Sequence, residues 1–137
     1  VRGLSRAEVE SRVVEALRKV CIENLKNRKA KSLSGGEQQK LALARAIALQ
    51  SEALLLDEPT ANLDPASASA IEAFIGRIKR ETALVVSTHN LFQARRLADR
   101  LAILFHGRLL EEGDASQVFT SPSHPGTAKF LRGEYFF

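Results

Sequence analysis

Two short, uninterrupted apolar runs, Ala53-Leu54-Leu55-Leu56 and Ala83-Leu84-Val85-Val86, constrain this chain more than any other feature. Apolar runs without alternation read as strands buried on both faces, and such strands belong to parallel sheets covered by helices. Between them stands Asp64-Pro65, with proline at the first turn of a helix, and then Ile71, Phe74, Ile75 and Ile78 at helical spacing. Strand, helix, strand is a βαβ unit, so the sequence predicts an α/β fold with a mostly parallel sheet flanked by helices. Ligands of such sheets sit beyond the carboxyl ends of the strands. The first run ends in Asp57-Glu58 and the second in Ser87-Thr88-His89, so polar residues collect where this architecture puts a site.

The flanking segments carry their own signals. Ser5 with Glu8 forms a capping box, and Val9, Val13, Ala16, Leu17 and Val20 predict an amphipathic helix from Arg6 to Val20. A polar loop follows to Leu33. A second helix over Glu37–Ala48 has a wide apolar face of Leu41, Leu43, Ala44, Ile47 and Ala48. A helix over Leu91–Ala98 leads into the apolar run Leu101–Phe105, and His106-Gly107 reads as a tight turn into Arg108–Glu111, making a hairpin. From Ser116 the chain reads as a tail carrying Pro122 and Pro125 and ending in the aromatic Tyr135-Phe136-Phe137.

Bulk properties exclude several classes. With 137 residues, 45% of them hydrophobic and 26% charged, the chain is of single-domain size and is not wholly disordered. No apolar run approaches the ~20 residues that span a bilayer, and the opening residues lack the apolar core of a signal peptide. The sequence opens with Val1, so a start further upstream is expected. The one cysteine, Cys21, has no intrachain partner for a disulfide and is expected to be core filler in a reducing compartment. The net charge of +4 is spread along the chain. The one basic cluster, Lys26-Asn27-Arg28-Lys29-Ala30-Lys31, has no interleaved aromatic for base stacking. It reads as a solvated loop, the alternative being proximity to a bound nucleotide, and no direct nucleic-acid partner is expected. His106 and His124 belong to a turn and a proline-rich tail.

Three elements carry chemistry, each with two open readings. Leu33-Ser34-Gly35-Gly36-Glu37 places two glycines and a hydroxyl at a helix start, where unpaired N–H groups and the helix dipole favour an anion. Equally, Ser34 and Glu37 make an ordinary capping box. Asp57, at the end of an apolar strand, can hold Mg²⁺, and the adjacent Glu58 can take a proton from an attacking water. Equally, the pair is a solvated acidic turn closed by Pro59. His89 can hydrogen-bond a phosphate or water, or serve the fold alone.

Taken together, LSGGEQQKLALARAIA, ALLLDEPTANLD and VVSTHN resemble the ATP-binding cassette family in order and spacing over Leu33–Asn90. The LSGGE segment separates that family from other P-loop NTPases, and weaker similarity extends over nearly the whole chain. The resemblance implies ATP and Mg²⁺ as cofactors. It implies that Leu33, Ser34, Gly35, Gly36 and Glu37 are the signature, contacting ATP held by the opposite subunit. Asp57 then matches the metal-holding acid, Glu58 the catalytic base and His89 the switch histidine. Ala61-Asn62-Leu63-Asp64 resembles the loop that crosses the dimer interface, while Gln38 and Arg45 are expected to be packing and helix-surface residues.

No G-x-x-x-x-G-K-[ST] occurs in the sequence, so the loop that grips the phosphates is missing from it. The chain is therefore expected to be the C-terminal portion of a cassette. Residues 1–32 are expected to end a helical subdomain, 33–115 to be part of the catalytic core and 116–137 to be a tail. Alone it is expected to bind ATP weakly and hydrolyse little. The stretch STHNLFQARRLADR, the hairpin and the terminal FLRGE resemble importer subunits of the tungstate or phosphate type. That implies a second cassette subunit and transmembrane permease subunits as partners, and a peripheral place on the cytoplasmic face of the membrane. Two alternatives belong to other classes: a soluble, non-transport cassette ATPase, and a non-catalytic fragment that docks on a complete cassette.

Overall fold

The computed structural model describes residues 3–134, and the aromatic end Tyr135–Phe137 lies outside the described residues. The chain divides into two compact units, Val1–Ser87 and Thr88–Phe137. No described helix is long and apolar enough to cross a membrane.

The first unit opens with helix α1, Arg6–Lys19, set by the expected box: Ser5 Oγ accepts from Glu8 N–H, and Glu8 accepts from Ser5 N–H at 2.7 Å. α1 stops in a six-residue turn in which Cys21 N–H donates to Arg18 O and Ile22 N–H to Leu17 O, both at 3.0 Å. That turn needs a left-handed residue just past the helix, and Cys21 supplies it with φ 59°. Cys21 is consequently exposed, not the core filler expected. Its neighbour Ile22 is buried in its place, as is Leu17. The expected polar loop holds two 3-10 turns, Glu23–Leu25 and Ala30–Ser32.

Helix α2 spans Gly35–Ala48 and packs on α1 and on helix α3, Pro65–Ile78. Gly35 and Gly36 are already helical, two residues earlier than expected, because the cap is Ser34. Asp64 caps α3, accepting from Ala66 N–H and Ser67 N–H at 3.0 Å each. The core contains Ala16 and Leu17 of α1 with Val20 at its cap, Leu43 and Ala44 of α2, and Ile71, Phe74, Ile75 and Ile78 of α3. Each large aliphatic or aromatic side chain so buried is worth about 1.5–3 kcal/mol.

α3 is the crossover between strands β1, Ala53–Asp57, and β2, Ala83–Ser87, which pair in parallel from Ala53↔Ala83 to Asp57↔Ser87. The βαβ unit is as expected; burial on both strand faces is not. Leu54 is 9% exposed, but Leu55 is 78% and Val85 62% exposed. Strand side chains alternate between faces, and among the described residues one face of this two-stranded sheet is open.

The second unit begins with α4, Leu91–Leu97, capped by Asn90, whose side chain accepts from Gln93 N–H at 3.1 Å. Strands β3, Arg100–Phe105, and β4, Arg108–Asp114, form the antiparallel hairpin. His106 and Gly107 both have positive φ, 47° and 73°, the conformation that a two-residue hairpin turn requires. The segment expected as a tail is largely helical: α5 spans Ala115–Thr120 and α6 spans Pro125–Leu131. Asp114 caps α5, and Pro125 opens α6 behind the ring of His124, whose Nδ1 accepts from Gly126 N–H at 3.0 Å. Prolines that read as loop markers here start a helix.

Capping makes the fold acid-sensitive. The Ser5 hydroxyl and N–H hold the Glu8 carboxyl below its ordinary 4.5, and the Ser116 hydroxyl with the Gln117 N–H holds Asp114 below 3.8. A folded-state value below the unfolded one gives stability that is complete above the unfolded value and is lost as pH falls through the folded one. The denaturation midpoint is therefore expected to be insensitive to these groups above about pH 5 and to fall below it. In the double variant Glu8→Gln/Asp114→Asn the acid decline should be shallower, as read by urea titrations across pH.

Candidate functional site

Strand β1 delivers Asp57 to its carboxyl end, and the parallel register sets Ser87 beside it. The Ser87 hydroxyl donates to the Asp57 carboxylate. The same oxygen accepts from the Glu58 N–H at 3.2 Å, while the Ser87 carbonyl accepts from that N–H at 3.1 Å. One serine thus orients both acidic residues. Glu58 turns the chain out of the strand with φ 43°, left-handed for a non-glycine residue; such backbone costs about 1 kcal/mol. Its carbonyl accepts from Ala61 N–H at 3.1 Å, closing a turn over the buried Pro59. Asn62 is also left-handed, φ 59°, on the way to Asp64.

At the signature-like segment Leu33 is buried, and Ser34 caps α2 in a complete box. Ser34 Oγ accepts from Glu37 N–H at 3.3 Å, and Glu37 accepts from Ser34 N–H at 2.7 Å. The Ser34 N–H, then its hydroxyl, with Arg28 and Lys40 nearby, hold the Glu37 carboxyl below 4.5. Glu37 therefore serves the cap. The first-turn N–H groups of Gly35 and Gly36 are what this segment can offer an anion, with a Ser34 hydroxyl that it must share with the Glu37 carboxylate. Gln38 adds a brace: its side-chain amide donates to Leu33 O at 2.9 Å, fixing the backbone just ahead of the cap.

The two glycines differ. A Cβ built on Gly35 meets nothing within 4 Å, so that position opens outward. On Gly36 it would meet Ser67 Oγ at 2.5 Å and Ser67 Cβ at 2.9 Å, so this glycine exists for the approach of α3. Asp64 faces inward on its own helix: the Ser67 hydroxyl first, then the N–H groups of Ser67 and Ala66, keep its carboxyl below 3.8.

His89 belongs to the second unit, where it is exposed between Thr88 and Asn90. Thr88 Oγ1 accepts from Asn90 N–H at 3.1 Å, so the residues around His89 build the start of α4. The first unit thus brings together Asp57, Glu58 and Ser87 in one cluster, and Gly36, Ser67 and Asp64 in another. Sequence reasoning passed over Ser87 as a ligand of the acidic pair. Equal strand lengths ending at Asp57 and Ser87 were the available signal. Ser67 carried none, since its partner Gly36 is remote in sequence.

The family described as ABC transporter matches residues 3–61. The phosphate import ATP-binding protein PstB 2 of Mycobacterium tuberculosis H37Rv is 50% identical over 101 residues, 74% of this chain and 37% of that protein. Its counterpart in Mycobacterium bovis matches to the same extent. Among solved structures, cbiO1 of Clostridium perfringens, part of the ABC transporter complex cbiONQ, superposes with a TM-score of 0.79 at 30% identity. It covers 88% of this chain and 49% of that one. An ABC transporter in an inward-facing conformation superposes with a TM-score of 0.81 at 26% identity, covering 97% and 52%. The fold is that of an ABC-type ATPase of the P-loop NTPase class. Over residues 3–61 the chain matches the ATP-binding cassette family, whose members bind ATP, and it spans 37% of the length of the curated relatives it matches.

Two contrasts test this geometry. Gly36→Ala should destabilise the chain by about 1–3 kcal/mol through overpacking, whereas Gly35→Ala should be neutral or stabilise by up to about 1 kcal/mol; urea denaturation reads both. At position 58 the usual preference for alanine should reverse, Glu58→Gly being more stable than Glu58→Ala by about 1 kcal/mol. Equal stability of those two would show that the left-handed turn stores no strain.

Proposed function

We propose that this chain is the signature and catalytic-base portion of the ATP-hydrolysing subunit of an importer, and that the solute is inorganic phosphate. The observation that carries this reading is the acidic pair at the open end of a parallel strand, both members oriented by Ser87. The solute rests on the 50% identity to proteins named for phosphate import, which favours phosphate over the tungstate expectation. Partners are a second cassette subunit and transmembrane permease subunits, and the assembly lies on the cytoplasmic face of the membrane.

Mg²⁺ is ordinarily held by one or two carboxylates together with substrate phosphates and waters, not by a cage of protein ligands. A single Asp57 carboxylate beside the Ser87 hydroxyl fits that requirement. Among the described residues no group of three or more His, Cys, Asp or Glu forms a metal cage. When bound, the ion neutralises developing charge on the phosphates. Asp57 holds it, directly or through water. Glu58 accepts the proton of the attacking water, and His89 hydrogen-bonds the γ-phosphate. Ser34, Gly35 and Gly36 offer a hydroxyl and helix-start N–H groups to the nucleotide of the opposite subunit. Glu37 holds their cap, and Asp64 anchors the loop that crosses to that subunit. The phosphate loop that completes each site is supplied by sequence outside these residues, so turnover needs the complete cassette.

In a complete cassette carrying these residues, Glu58→Gln is expected to retain ATP binding, to lower ATP turnover by about 10²–10⁴-fold and to accumulate an ATP-bound dimer. The measurements are nucleotide affinity, steady-state hydrolysis and size-exclusion chromatography. Unchanged hydrolysis would sink the role of Glu58.

A further inference from the structure

The contact between Gly36 and Ser67 joins the segment Ser34–Gly36 to the loop that ends in Asp64. Gly36 is buried in the first turn of α2. The Ser67 side chain occupies the space into which a Cβ on Gly36 would project, with separations of 2.5 Å and 2.9 Å, below any real Cβ contact. Ser67 is itself fixed from the other side, because its N–H donates to Asp64 Oδ1 at 3.0 Å. The α2 turn is equally fixed, by the Ser34–Glu37 box and by Gln38 on the Leu33 carbonyl. Two anchored helix starts thus meet through a glycine and a serine. Packed interiors have low compressibility and transmit displacement.

We propose that Ser67 is a positioning residue that locks the first turn of α2 to the Asp64 cap, so that Ser34–Gly36 and the Ala61–Asp64 loop move as one body. This rests on the functional reading above, in which both segments serve the nucleotide site shared with the opposite subunit. Bulk added at Ser67 pushes on the Gly36 backbone and shifts the N–H groups aimed at that nucleotide. It leaves untouched the phosphate loop with which each subunit grips its own ATP. The predicted signature is therefore a split between two affinities: nucleotide binding by one subunit holds, and nucleotide-driven pairing weakens.

The test uses the complete cassette in the Glu58→Gln background, where hydrolysis does not drain the dimer. ATP is titrated while dimer formation is followed by light scattering. A fluorescent ATP analogue measures binding to the single subunit, and thermal melts check folding. Ser67→Val is expected to raise the ATP needed for half-dimerisation by about tenfold with analogue affinity unchanged. Gly36→Ala should likewise raise the ATP needed for half-dimerisation, and Gly36→Ala/Ser67→Gly, which removes the colliding atoms, should return to within about threefold of the parent. If Ser67→Val does not fold, the Gly36 pair carries the test. A parent that dimerises normally, with Ser67→Val or Gly36→Ala pairing at the parental ATP level, overturns the role of Ser67 alone. Failure of the double variant to recover overturns it too. A parent that never dimerises with ATP overturns the functional reading and this inference with it.

Discussion

The parallel register of β1 on β2 is the constraint from which the acidic site follows. Because Ala53 pairs with Ala83, Asp57 must arrive level with Ser87. A one-residue slip would move Ser87 to the other face and off the carboxylate. At that level one hydroxyl meets both the Asp57 side chain and the Glu58 N–H. Glu58 then has to leave the strand abruptly, and its left-handed backbone is the local cost of presenting two consecutive acids at one strand end.

The same βαβ unit imposes the second cluster. A parallel pair needs a crossover, and α3 supplies it. Asp64 and Pro65 set where that helix begins, and α2 must pack against it, which leaves no room for a side chain at Gly36. Leu33-Ser34-Gly35-Gly36-Glu37 therefore does two jobs with different residues. Gly36 answers to packing, Glu37 and Ser34 to the helix cap, and Gly35 faces outward with nothing against it. The capping reading and the anion reading of this segment coexist, since the box engages the Ser34 hydroxyl and the Glu37 N–H and leaves the first-turn N–H groups of Gly35 and Gly36 to an anion.

Where interactions were local, the sequence was readable in detail. The Ser5–Glu8 box, the Asp64-Pro65 start, the buried series Ile71, Phe74, Ile75 and Ile78, and the His106-Gly107 turn all stand as expected. Prolines misled at the C-terminal end, because Pro125 breaks a helix only in its interior and here it opens α6. Cys21 misled because apolar character says nothing of backbone demand: α1 needed a left-handed residue after its cap, and Cys21 stands there. The runs at β1 and β2 were uniform in hydrophobicity, and only the elements placed around them could show that Leu55 and Val85 face an open side.

By itself the sequence determined the order of elements, the residues that start and stop them, and the family, because spacing along the chain encodes helix period, strand run and cap. It also held every acid and glycine of the candidate site. Tertiary structure decided which of these meet. Ser87 reached Asp57 through strand pairing, and Ser67 reached Gly36 through the approach of two helices. Contacts between residues far apart in the chain are set by register and by packing distance, and neither is written in the neighbours of any one residue.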